Sequence, residues 1–315
     1  MAINIFLFTL GLVLIIIGGN FFVDAAVWLS EKLRVPKFIV GATIVSLATT
    51  LPELIVSIIA TLSGKYEMAA GNAIGSIIAN IGLILAISIA VTPCEVKKSG
   101  LILKSFLLLT AAFVTLFFST KGTLGIIPAA ILLLIWLSFM AINLIDGKRA
   151  EENAPSLHTP VSSKEIVINI LKFGLGTAGL VFGSDLLVDY GSAIASSLGA
   201  SEGIIAVTIV AIGTSLPELV TTITALCKKQ ASLSVGNILG ANIMDIAFIM
   251  PICALISGGL IITDQTLLLD LPVCILLTIV AFTIPAFRKK YSRGIGIILL
   301  IMYAVYLALL LTFFK

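Results

Sequence analysis

The chain is predicted to be an all-α polytopic membrane protein, with ten transmembrane helices forming two inverted five-helix repeats and broken helices at the midplane. Three observations predict this. Of its 315 residues 59% are hydrophobic and 11% charged, and the mean hydropathy is +1.21, which excludes an ordinary soluble globule. Apolar runs of bilayer length recur ten times along it. Residues 41–82 also align without a gap on residues 206–247, each position 165 residues from its counterpart.

The apolar runs fall at about 4–30, 37–62, 68–91, 101–119, 124–145, 166–197, 203–226, 233–256, 266–286 and 293–313. The first is not a removable signal peptide: it lacks a basic leader, exceeds the length of such a segment, and precedes many similar runs. Placing the N-terminus outside puts Lys32, Arg34, Lys37, Lys97, Lys98, Lys104, Lys148, Arg149, Lys164, Lys172, Lys228, Lys229, Arg288, Lys289, Lys290 and Arg293 at the inner face. Only Lys65, Lys121 and Lys315 remain outside. Sixteen against three is the asymmetry that orients membrane proteins. Both termini are therefore expected to be extracytoplasmic, in a multi-pass protein of the cell membrane.

The polar stretch DGKRAEENAPSLHTPVSSK, starting at Asp146, divides the chain. It predicts a first repeat over 1–145, a cytoplasmic linker over 146–165 and a second repeat over 166–315. Five spans is an odd number, so the second repeat enters the membrane from the opposite side. The two copies are then related by an axis lying in the membrane plane. The match reaches the first span of each half, where Gly18, Val23 and Asp24 correspond to Gly183, Val188 and Asp189.

Composition also excludes function classes. A net charge of +3 says little about partners, because the placement of the charges matters more than their sum; the bilayer is the expected partner and nucleic acid is not. The cysteines Cys94, Cys227, Cys253 and Cys274 show no metal-ligand spacing and read as small apolar packing residues. His158, in the linker, is the only histidine. No HExxH string occurs, and a single histidine in the linker leaves no nucleophile–base set, so an intramembrane enzyme is not expected. A passive channel commonly needs oligomeric symmetry, whereas here the repeat supplies both halves in one chain.

The repeated segment carries the chemistry. Its first copy reads TIVSLATTLPEL from Thr43 and GNAIGSIIAN from Gly71; its second reads TIVAIGTSLPEL from Thr208 and GNILGANIMD from Gly236. Each places a glutamate, Glu53 or Glu218, at bilayer depth, where a carboxylate costs roughly 2.5–3.5 kcal/mol even on insertion scales. Pro52 and Pro217 precede them and loosen the carbonyls of Ala48 and Gly213, beside the hydroxyls of Thr49, Thr50, Thr214 and Ser215. Freed carbonyls and hydroxyls are hard oxygen donors suited to Na⁺ and Ca²⁺. In the following span Asn72, Ser76 and Asn80 share one stripe, as do Asn237, Ala241 and Asp245, while Gly71/Gly75 and Gly236/Gly240 form small-residue pairs for close helix packing. Glu53, Glu218 and Asp245 together carry up to three negative charges, so cations or protons must compensate them. The same oxygens, divided differently, suit one Ca²⁺ or several Na⁺.

These strings resemble the two α-repeats of the sodium/calcium exchanger family, within the cation/calcium exchanger superfamily, and the resemblance covers all ten spans. It implies a central Ca²⁺ site made by Glu53 and Glu218 with the carbonyls of Thr49 and Thr214, flanked by Na⁺ sites. Thr50, Ser76, Asn80, Ser215, Asp245 and the carbonyls of Ser46 and Ala211 are implied as the remaining ligands. It further implies Na⁺/Ca²⁺ antiport by alternating access, the first and sixth spans moving against the rest, with the ions as cargo and no cofactor. The chain departs from the family wording at Ala48, Thr50 and Ala241, and the last removes a hydroxyl, which bears on the number of Na⁺ sites. The proton-coupled branch carries a glutamate in its third-span motif; its absence from GNAIGS favours Na⁺ over the alternative, coupling to H⁺ or K⁺. Asp24, Asp185 and Asp189 are open to two readings, cation attraction along access paths or polar groups near span ends.

Overall fold

The structure, a computed structural model, describes residues 2–95, 98–152, 162–197, 213, 215–288 and 290–313. It is helical almost throughout. Helix α1 spans Ala2–Leu33, α2 Lys37–Thr49, α3 Leu51–Leu62, α4 Tyr66–Val91, α5 Lys98–Phe118 and α6 Ile126–Glu152. There follow α7 Ser163–Ser197, α8 Leu216–Cys227, α9 Ala231–Ser257, α10 Thr266–Thr283 and α11 Arg293–Phe313. Eight of these are long and apolar enough to cross a membrane, and α2 with α3 adds a ninth if the bent pair is one span. The expected run 203–226 is described from Gly213 and Ser215 onward only, and there it forms the shorter apolar helix α8.

The break between α2 and α3 bends the chain by 44° at Thr50. The helix is broken here, as the proline led one to expect, though it restarts before Pro52 rather than kinking around it. Pro52 occupies the first turn of α3, where its missing N–H is one of the donors a helix leaves free anyway. Pro217 does the same in α8. Thr50 and Ser215 have nearly the same backbone angles, φ −85°, ψ 2° and φ −88°, ψ 8°. After each helix the chain reverses through one turn, written twice. Gly64 and Lys65 donate to the carbonyls of Thr61 and Ala60, and Lys229 and Gln230 to those of Leu226 and Ala225, every residue offset by 165.

Helix α9 lies at the centre. Every residue from Leu233 to Met244 is buried, and 83% of its most apolar window is covered, against 22% in α1. One apolar cluster surrounds it, from Ile74, Ile77 and Ile81 of α4 to Leu108 of α5, Phe139 of α6 and Phe282 of α10. A separate cluster joins Ile15 and Phe22 of α1 to Leu180 of α7, Val45 of α2 and Ala225 of α8. In it α1 and α7 meet backbone to backbone. A Cβ on Gly11 would stand 3.0 Å from the carbonyl of Gly183, and one on Gly18 2.9 Å from that of Gly176. Only glycine permits that approach, so these four positions set the spacing of the pair.

Two short antiparallel ribbons tie the loops together: Cys94–Glu95 pairs with Lys290–Tyr291, and Thr123–Leu124 with Leu260–Ile261. Lys104, expected at a loop, is instead buried, with its Nζ 2.9 Å from Asp146 and 5.2 Å above the Phe38 ring. Burying a lysine demands such a partner. Cys253 and Cys274 pack in the interior as expected, whereas Cys227 is exposed at the end of α8.

Candidate functional site

The two helix breaks face each other. Glu53 and Glu218 lie in the first turns of α3 and α8, where a carboxylate is favoured by the helix dipole, and each is 1% exposed. The contacts between them are crossed. Thr50 of the first copy donates to Glu218 Oε1 at 3.3 Å, and Ser215 of the second donates to Glu53 Oε1 at 3.4 Å. Among the described residues, neither glutamate accepts a side-chain hydrogen bond from its own break. The sites at 50 and 53 and at 215 and 218 therefore depend on one another, which no single copy of the motif could arrange.

Helices α4 and α9 close the site. Each leaves regular geometry at the same place, in a π-helical turn beginning at Asn80 in one and at Asp245 in the other. Such insertions turn side chains toward functional sites. Asp245 is fully buried and lies near enough to both glutamates for their charges to interact. Thr49 donates to Oδ1 of Asn237 at 3.2 Å and to the carbonyl of Ser46 at 3.4 Å. Asn72 donates to the carbonyl of Glu53 at 3.3 Å and to Ser57 at 3.0 Å, bracing α3 against α4.

Among the described residues, five buried oxygens here have no hydrogen-bond partner: Glu53 Oε2, Glu218 Oε2, both oxygens of Asp245 and Asn80 Oδ1. Buried polar atoms are almost always satisfied, and although Nδ2 of Asn237 and of Asn242 are also without a partner among the described residues, the unpartnered carboxylate oxygens need a cation or a proton. No three His, Cys, Asp or Glu side chains among the described residues form a metal-binding group by themselves. Any cation here would take neutral hydroxyl, amide and carbonyl oxygens beside the carboxylates. Such a donor set suits weakly held, mobile Na⁺ or Ca²⁺ better than a fixed transition metal.

The expected residues are thus largely assembled. Glu53, Glu218, Thr50 and Ser215 are joined by the crossed contacts, and Asp245 lies near the two glutamates. Thr49 bonds to Ser46 and Asn237, and Asn80 and Ser76 are buried on α4. Thr214 and Ala211 lie outside the described residues. Asp24 stands apart, paired with Lys228 at 2.6 Å, and Asp185 and Asp189 are exposed on α7. The polar-group reading suits Asp24. Two participants were missed: Asn237 as an acceptor, and Asn242, which accepts from Asn80 Nδ2 at 3.1 Å. Asn242 stands off the 237, 241, 245 stripe. Stripes locate functional faces only where the rest of a helix is exposed, and α9 is buried all round here.

Comparison with known proteins gives the same picture from another direction. The chain is 32% identical over 315 residues to the inner membrane protein YrbG of Escherichia coli, covering 96% of this chain and 95% of that one. It is 25% identical to the sodium/calcium exchanger MaX1 of Methanosarcina acetivorans, covering 98% and 99%. Its fold superposes on the sodium-calcium exchanger NCX_Mj, soaked with 10 mM Na⁺ and zero Ca²⁺, with a TM-score of 0.86 at 27% identity, over 98% of this chain and 99% of that one. The profile of the sodium/calcium exchanger protein family matches residues 3–145 and 168–312, taking in both helix breaks and both glutamates. With that profile running through both halves, and the crossed carboxylate pair at the contact of the two copies, the chain belongs to the sodium/calcium exchanger family.

Proposed function

We propose that this protein exchanges Na⁺ for Ca²⁺ across the membrane by alternating access. The observation that carries the reading is the pair of buried glutamates, each held by a hydroxyl of the other copy and each left with a free oxygen. Two carboxylates balance one Ca²⁺; with Asp245 and the neutral oxygens around them they balance several Na⁺. Occupation by one load excludes the other, which is what couples the two fluxes. Glu53, Glu218 and the carbonyls of Thr49 and Thr214 form the Ca²⁺ site in this reading. Thr50, Ser76, Asn80, Ser215, Asp245 and the carbonyls of Ser46 and Ala211 complete the Na⁺ sites.

The reading includes ten spans in two inverted repeats, 1–145 and 166–315, joined by a cytoplasmic linker over 146–165. Several contacts support it. The Cys94–Lys290 ribbon joins two loops that the basic-residue count puts inside, and the Thr123–Leu260 ribbon joins two that it puts outside. The ion pairs Lys104–Asp146 and Lys32–Glu165 likewise join groups assigned to one face. The glycine-spaced α1–α7 pair, packed in its own apolar cluster, suits a unit that slides as one body against the core.

The test is Ca²⁺ uptake into proteoliposomes preloaded in turn with Na⁺, with K⁺, or with a proton gradient. Uptake driven by Na⁺ alone is expected. The third carboxylate, Asp245, with no hydrogen-bond partner among the described residues, is the one feature favouring a second coupling ion. Uptake that needs K⁺ or a proton gradient would replace the reading by that alternative, and uptake without any counter-gradient would make the protein a channel. For orientation, a cysteine placed at Ser156 in a background without native cysteines should resist impermeant thiol reagents in intact cells and react after permeabilisation.

A further inference from the structure

We propose that Asn242 is a positioning residue that decides which end of the Asn80 amide faces the transported ion; the inference rests on the ion site described above. A carboxamide has one oxygen, which can ligate a cation, and one NH₂ group, which repels it. Nothing in Asn80 itself selects between them. Its Nδ2 donates to Oδ1 of Asn242 at 3.1 Å, between two side chains that are both buried. That bond turns Asn80 Oδ1 the other way, and Oδ1 is among the buried acceptors without a partner.

The second copy supplies the control. The counterpart of Asn80 is Asp245, 165 residues on, and the counterpart of Asn242 is Ile77. Asp245 has an oxygen at each end, so either orientation presents an acceptor and no orienting partner is required. Both its oxygens are free of hydrogen bonds among the described residues. An amide with an orienting amide at one position, a carboxylate with an isoleucine at the other, is the distribution expected if the polar partner exists to orient. A purely structural polar contact has no reason to follow the chemistry of the ligand in this way.

The cost of holding Asn242 in the interior is also visible. Its own Nδ2 has no partner among the described residues. A leucine there would remove that unpaired donor but leave Asn80 Nδ2 without its acceptor, so it exchanges one unsatisfied amide for another.

The experiment is a titration of thermal stabilisation of the purified full-length protein by Na⁺, Ca²⁺, K⁺ and Sr²⁺, run beside proteoliposome exchange. Asn242→Leu is expected to weaken the apparent affinity for the stabilising ion by about tenfold, the usual effect of removing a ligand's supporting hydrogen bond. In exchange it should raise KM and leave the maximal rate largely unchanged. Asn242→Asp, which keeps an acceptor for Asn80 Nδ2, should retain more affinity than the leucine variant. The decisive comparison is made in an Asn80→Asp background, where both ends are oxygen and Asn242→Leu should no longer change affinity. An equal loss in both backgrounds, or none in either, overturns the proposal, and Asn242→Ser replaces the leucine if that variant does not fold. Failure of the wild type to exchange Na⁺ for Ca²⁺ would strike the functional reading alone, because the titration scores any cation that binds.

Discussion

The two copies of the repeated segment share their glutamate, proline and glycine positions, yet the described residues pack around them differently. In the second, Gly236 and Gly240 are buried under α2: a Cβ at Gly236 would overlap the carbonyl oxygen of Phe38, and one at Gly240 would lie 2.6 Å from that of Ala42. In the first, Gly71 is exposed, and no described residue comes within 4 Å of a Cβ on Gly71 or Gly75. The stretch that corresponds to Phe38–Ala42 is 203–207, outside the described residues. The same small-residue pair thus forms a tight backbone contact in one copy. A motif prescribes what a helix can approach, and the neighbouring element decides whether the approach is made.

The carboxylates offer the strongest way to break the comparison. Glu53→Gln and Glu218→Gln should each abolish Ca²⁺ uptake, a loss of at least about a hundredfold if the pair neutralises a divalent ion in a low-dielectric site. The crossed hydroxyl contacts make the two losses equal. Substantial uptake in one mutant would show that the copies share geometry without sharing the load.

Asp245 should tell the copies apart. Its counterpart Asn80 carries no charge, and with both glutamates ionised the Asp245 charge is surplus to one Ca²⁺, so a proton can replace it. Asp245→Asn is therefore expected to keep part of the Ca²⁺ transport that the glutamate mutants lose, with an altered pH profile of uptake. A variant as inactive as Glu218→Gln at every pH would make Asp245 a charged ligand and raise the count of bound cations.

Stability measurements sharpen the packing contrast. Gly236→Ala forces a methyl onto backbone that cannot swing aside, and should cost about 1–3 kcal/mol in thermal unfolding. Gly71→Ala should stay within about 0.5 kcal/mol. Equal losses would mean that residues 203–211 cover Gly71 as closely as α2 covers Gly236. The smallest expected effect lies in the turn after each glutamate helix. Gly64 at φ 74° and Lys229 at φ 58° adopt the same left-handed conformation, which is free for glycine and costs a lysine about 1 kcal/mol. Lys229→Gly should stabilise the protein by about that amount, and Gly64→Lys should destabilise it similarly, both read as shifts in unfolding temperature.

Much of this was legible in the residues. The apolar runs gave most of the described helices to within a few positions, because burial in lipid leaves no choice but to satisfy the backbone inside each segment. Helix α6 is the exception, continuing to Glu152 through the first residues of the expected linker. Glu53, Glu218, Asp245 and Asn80 were legible because a charge or amide in an apolar run is too costly to lack a purpose. Pro52 marked the break, but not that the helix restarts at Leu51 with the proline in its first turn. Sequence marks where a helix cannot continue, and whether it kinks or restarts depends on what packs at the break. Lys104 looked like a loop residue for the same reason, since its partner Asp146 is more than forty positions away.

By itself, then, the sequence determined the chemistry of the site and the existence of two matching copies, since residue identity, spacing and local backbone preference are properties of the chain. Tertiary structure alone decided that each glutamate is held by the other copy's hydroxyl, that Asn242 orients Asn80, and that one glycine pair is gripped. Those relations join residues more than 160 positions apart, and distances across such separations are set by how helices settle against one another, a balance of packing that no local string encodes.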